Sequence, residues 1–151
     1  MKYSEKVSNK LNNLLEKAYD AEKGYRLAQD NVTNPALKDF FGDRVRQRYN
    51  FGHELKTEIG SFGQLAERDG SIKGDLHRTW MNLTATLSTN EEEKMLEEVV
   101  RGEKATMEAY EEILWEDALL LPKSTERLLI KQRDAIQAGL EKAKRFESLV
   151  S

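Results

Sequence analysis

The sequence predicts an all-α fold: a four-helix bundle with one long crossover between its second and third helices, and a short fifth helix within that crossover. Three observations predict it. Apolar residues recur at spacings of three and four along nearly the whole chain, the period of a helix that buries one face. Only 2 prolines and 9 glycines punctuate 151 residues, and 34% of the residues are charged, the composition of long helices with solvated outer faces. The breaks between periodic stretches are short, with one exception.

The first predicted helix runs from about Ser4 to Val32, with Leu11, Leu15, Ala18, Tyr25 and Val32 on its apolar face. "TNPAL" ends it and starts the next: Asn34 fits an N-cap and Pro35 the first helical position. The second helix runs to about Glu67 and carries Leu37, Phe41, Val45, Leu55, Ile59 and Phe62, until "ERDGS" breaks it. Ser71 caps a shorter predicted helix with Ile72, Leu76, Trp80, Leu83 and Leu87 on one face. "STNEEE" then opens the third long helix, with Thr89 as N-cap and three glutamates in the first turn, where the helix dipole favours them. That helix reaches about Ala118, "LLLPKST" breaks it, and the fourth runs from about Ser124 to Val150. Helices of roughly 28 residues are about 40 Å long. The two short turns therefore make antiparallel hairpins, and the longer connection between them is enough to cross the length of a bundle.

Composition narrows the function. A net charge of −3 gives no electrostatic drive toward nucleic acid or anionic lipid. No apolar stretch is long enough to span a membrane. The N-terminal "MKYSEKVSNKLNNLL" has no continuous apolar run of the kind a secretory signal needs. With no cysteine, thiol catalysis, disulfides and zinc–thiolate sites are excluded. One domain over residues 1–151 and a cytoplasmic location are expected. No phosphate-binding glycine loop or nucleophile motif occurs.

Read at helical spacing, each long apolar stripe is interrupted once near its middle by a charge: Glu22 in the first helix, Arg48 in the second, Glu103 in the third and Arg133 in the fourth. Antiparallel pairing brings these positions to one level. A buried charge is costly unless paired, two carboxylates and two guanidiniums sum to zero, and arginine's donor fork fits a carboxylate. The expectation is a buried charged layer of Glu22, Arg48, Glu103 and Arg133. A one-residue shift in helical phase would instead set these charges at the flanks of the stripes, where they reach water. A faint internal repeat, "AEKGY" with "GEKAT" and "QRYNF" with "QRDAI", runs through the same positions.

A glutamate in the middle of the first and third helices, with a long crossover between the second and third, resembles the ferritin-like superfamily. In its di-iron members those glutamates are metal ligands, and the second and fourth helices each add a Glu-x-x-His motif. This sequence departs from that pattern. Gln47-x-x-Asn50 stands near the expected place in the second helix, the fourth offers neither Glu nor His near "QRDAI", and both histidines, His53 and His77, lie elsewhere. The stretches "EKGYR", "GSIKGDLHRTWMNL" and "RGEKATMEAYEEIL" further resemble the bacterial four-helix-bundle proteins of domain-of-unknown-function family 2383. That resemblance implies a ferritin-like bundle in a bacterium and no particular reaction.

The expected function is therefore a non-catalytic bundle whose metal centre is replaced by a salt-bridge layer, with no cofactor and a structural, stress-associated or partner-binding role. The alternative is a metal-binding protein with di-iron oxidase or iron-handling activity, in which Glu22 and Glu103 hold iron or another divalent metal. His77, Arg78 and Trp80 in the crossover exceed what amphipathicity requires and form a candidate interaction surface. A homo-oligomer, a dimer, is expected from the way bundles pair through helix faces, although the sequence shows no clear apolar stripe to locate the interface.

Overall fold

The computed structural model describes residues 3–64, 66, 92–116 and 118–150. They form four helices: α1 Tyr3–Asn31, α2 Pro35–Ser61, α3 Glu92–Glu116 and α4 Lys123–Val150. No strand occurs among the described residues.

The breaks follow local chemistry. The Asn34 side-chain oxygen accepts hydrogen bonds from the Ala36 and Leu37 amides at 2.9 and 3.3 Å, which satisfies donors the first turn leaves open. Pro35 occupies the start of α2, where its missing N–H is no loss. The helix ends at Ser61, short of the expected Glu67. Gly63 takes φ = 72°, a conformation that side chains disfavour, and its amide bonds back to the Gly60 carbonyl at 2.9 Å. At the last break the Glu126 amide bonds the Pro122 carbonyl at 2.9 Å, and the helix begins at Lys123, one residue upstream of the expected start.

Cross-helix contacts fix the directions. Tyr25 meets Phe41 and Lys56 lies over Tyr19, so α1 and α2 are antiparallel. Phe40 meets Phe146, Lys131 bonds Glu54 and Ser124 bonds Glu58, so α2 and α4 are antiparallel. A short turn makes α3 and α4 antiparallel, with Tyr110 bonded to Gln132 across them. Around the bundle α1 packs on α2 and α3, and α4 packs on α3 and α2. Two antiparallel steps make α2 and α3 parallel and diagonal. The chain leaves α2 at the end where α4 begins and enters α3 at the other, so the fold is a four-helix bundle with one long crossover. The expected fifth helix, its Ser71 cap, the Thr89 cap and His77, Arg78 and Trp80 lie outside the described residues.

The core is built from the stripes read in the sequence. Leu11 and Leu15 of α1, Phe41 and Leu55 of α2, Leu96 and Val99 of α3, and Leu129 and Ile136 of α4 are all fully buried. Burying each of these apolar side chains contributes roughly 1.5–3 kcal/mol, and they frame the polar groups at the middle of the bundle.

Candidate functional site

The middle of the bundle holds charge. Arg48 of α2 and Glu103 of α3 reach across the diagonal and form an ion pair with side-chain exposures of 1% and 0%. The Arg48 guanidinium lies 5.6 Å from the ring centre of Tyr25 and 5.8 Å from that of Phe51, positions where aromatic faces favour a cation. Its Nε also donates to the Gln47 side chain at 3.3 Å. Arg48 Nη1 is buried with no acceptor among the described residues. The pair is therefore held through one arm of the guanidinium and is not fully compensated.

Two tyrosines flank it. Tyr25 of α1 is fully buried. Burial, the Glu103 charge and hydrogen bonding to Glu103 push its hydroxyl pKa well up, against a smaller downward pull from Arg48 and Arg44. Tyr110 of α3 is also raised, first by burial and further by Glu103 and Glu54, while Arg48 opposes the shift. Burial disfavours the Arg48 charge, but Glu103 and the tyrosines leave its pKa above the usual value. The Tyr110 hydroxyl donates to Gln132 Oε1 at 2.6 Å, Gln132 Nε2 donates to Glu54 at 3.2 Å, and Lys131 bonds Glu54 at 2.8 Å on the surface. Side chains from all four helices thus meet at this level, and a line of hydrogen bonds leads from the buried Tyr110 to water.

The four-membered layer expected from the sequence differs from this. Glu22 is 20% exposed and pairs with Arg26 on its own helix at 2.8 Å. Arg133 is 31% exposed and pairs with the adjacent Asp134 at 3.0 Å. The fully buried residues beside them are Ala21 and Gln132. The correction is one residue of helical phase in α1 and in α4, and the physical reason is desolvation. Burying alanine and a neutral amide leaves two charges in water, whereas burying Glu22 and Arg133 would strip both of hydration. Sequence reading assigned Tyr25 to the apolar face without seeing its hydroxyl as part of a polar cluster, and it missed Gln132. The signal was present in "KQRDA", where glutamine and arginine are adjacent and either fits the stripe.

The same geometry bears on metal chemistry. A di-iron centre needs several carboxylate oxygens and imidazoles converging on one point. Here Glu103 faces a guanidinium and Glu22 faces Arg26 at the surface. His53 is exposed and stacks edge-on against Tyr49 at 4.6 Å. No group of three or more histidine, aspartate or glutamate side chains suited to a metal occurs among the described residues. These donors do not fit the di-iron pattern.

Fold and site define a class: an all-α four-helix bundle with a buried arginine–glutamate pair between its diagonal helices. A family model, a domain of unknown function (DUF2383), matches residues 6–116. The chain belongs to that family, as the motifs in α1 and α3 suggested. No curated protein matches it. No helix among the described residues is long and apolar enough to cross a membrane.

The two buried tyrosines make alkaline behaviour a direct test of the cluster. Their pKa values are raised in the folded chain, so the folded state holds these protons more tightly than the unfolded one. The stability this contributes is complete below the unfolded tyrosine pKa of about 10 and is lost as pH rises above it. In a titration followed at 295 nm, the phenolate signal of Tyr25 and Tyr110 is expected to appear only together with loss of helical circular dichroism. Full ionisation of all five tyrosines while the helices remain intact would contradict this burial.

Proposed function

We propose that this protein is a non-catalytic, ferritin-like bundle in which a buried ion pair takes the place of a metal centre. Its role in this reading is structural or partner-binding, in the cytoplasm of a bacterium and under stress. The observation that carries the reading is the Arg48–Glu103 pair. A fixed guanidinium against Glu103, a fully buried carboxylate, repels a divalent cation and engages one of the two carboxylate oxygens such a cation would use. The family assignment supports the bundle and brings no reaction with it. The stress role follows from analogy of fold.

The test is metal content. The full chain, purified without a histidine tag, is incubated anaerobically with Fe(II), desalted and analysed for bound iron. The expected result is close to no iron per chain. One or two tightly held ions, lost in a Glu22→Ala or Glu103→Ala variant that still folds, would overturn the proposal and put a di-metal centre in its place.

A further inference from the structure

The α3–α4 face carries apolar surface that the described residues leave uncovered. Trp115 is 87% exposed, Leu119 is fully exposed and Leu120 is partly so. Trp115 forms one wall of an open groove of about 460 Å³ lined by Glu111, Leu114, Trp115, Glu126, Ile130 and Arg133. Scattered surface leucines are ordinary, but a large indole standing in water beside a groove with apolar walls is the kind of group that anchors an interface.

The charges in this groove point to its occupant. Glu126 and Arg133 lie on the same face of α4 with Ile130 between them. They are two helical turns apart, about 10 Å. A two-fold axis passing close to Ile130 would set α4 antiparallel to its own copy. It would place Arg133 against the partner's Glu126, and Glu126 against the partner's Arg133. That reciprocity is the mark of an isologous contact. Among the described residues Arg133 pairs with the adjacent, largely exposed Asp134, a pairing that such a contact readily replaces. A parallel arrangement would set like charges together.

We infer that the α3–α4 face is a two-fold dimer interface for a second copy of this chain, with Ile130 near the axis, Trp115 flanking it and reciprocal Arg133–Glu126 pairs at its ends. This goes beyond the proposed function and does not depend on it, since the groove lies on the outer face of the bundle and the buried pair lies inside.

The experiment is sedimentation velocity of the full chain, at loading concentrations from about 1 to about 100 μM, a span of Kd values typical of moderate interfaces. Wild type is expected to move from monomer to dimer within that range. Trp115→Asp is expected to weaken the dimer by roughly thirtyfold or more, the loss typical of a central aromatic anchor. Arg133→Glu and Glu126→Arg are each expected to weaken it by about tenfold or more, because each sets like charges together twice. The double variant, Arg133→Glu with Glu126→Arg, is expected to regain dimerisation because it rebuilds both pairs with reversed sign. Helical circular dichroism checks that each variant is folded. If Trp115→Asp fails to fold, the charge exchange alone decides. A wild type that stays monomeric throughout, as when a different protein or another part of this chain covers the groove, overturns the inference. So does a dimer indifferent to these substitutions, or a double variant that fails to recover.

Discussion

Replacing Glu103 by leucine is expected to lower the stability of the fold by about 3–5 kcal/mol, the usual loss when one member of a buried ion pair is removed. The residue left behind decides the size. Arg48 is 2% exposed and sits between Tyr25 and Phe51. A guanidinium does not give up its proton within any pH range the fold tolerates, so without Glu103 it remains a bare charge in an apolar setting. Urea denaturation followed by circular dichroism measures the change. A Glu103→Leu variant that unfolds at the same urea concentration as the parent would mean that the pair is solvated or carries no energy.

The companion variant separates attraction from desolvation. Changing both residues, Arg48→Met with Glu103→Leu, removes the bare charge along with the pair. Because Arg48 Nη1 has no acceptor among the described residues, the native pair recovers only part of the hydration it gives up. The double variant is therefore expected to regain most of the lost stability and to melt within a few degrees of wild type. Such behaviour is common when apolar side chains of similar volume replace a buried pair. A double variant as unstable as Glu103→Leu would mean that the polar cluster, and not the compensation of one charge by another, holds the helices in register.

The second large effect concerns the aromatic layer beside the pair. Phe41 is fully buried, 6.0 Å from the Tyr25 ring and 5.5 Å from the Phe40 ring. Phe40 in turn touches Phe146 of α4 at 5.3 Å. Phe41→Ala is expected to cost about 3–5 kcal/mol, from lost burial and from a cavity that rigid helices refill poorly. Phe41→Leu keeps most of the volume and is expected to cost less than about 1.5 kcal/mol. The contrast is read from urea midpoints at unchanged slope. Equal losses in the two variants would show that the site needs the ring itself and not its volume.

Much of this architecture is legible in the chain. The period of three and four sets the helices, Asn34 and Pro35 set the first hairpin, and the long connection after Ser61 follows from its length alone. These features are local, fixed by backbone hydrogen bonding and the burial of one helical face. The end of α2 was less legible, because Gly63 closes the helix before the polar break at "ERDGS" that composition pointed to.

The charged centre shows where local information stops. Ala18 and Tyr25 are both buried on α1, and the turn between them is completed equally well by position 21 or position 22. On α4, Leu129 and Ile136 are both buried, and position 132 or 133 completes the stripe. A helix of 3.6 residues per turn accepts either choice, so periodicity alone could not tell Ala21 from Glu22 or Gln132 from Arg133. Arg48 and Glu103 stood at the same kind of position and do turn inward. The sequence by itself determined four amphipathic helices, their turns and a small set of charges near the seam. Only the meeting of Arg48 and Glu103 across the diagonal of the bundle decided which charges are buried, because a carboxylate and a guanidinium leave water together when each supplies the other's missing hydration, whereas among the described residues Glu22 and Arg133 pair along their own helices.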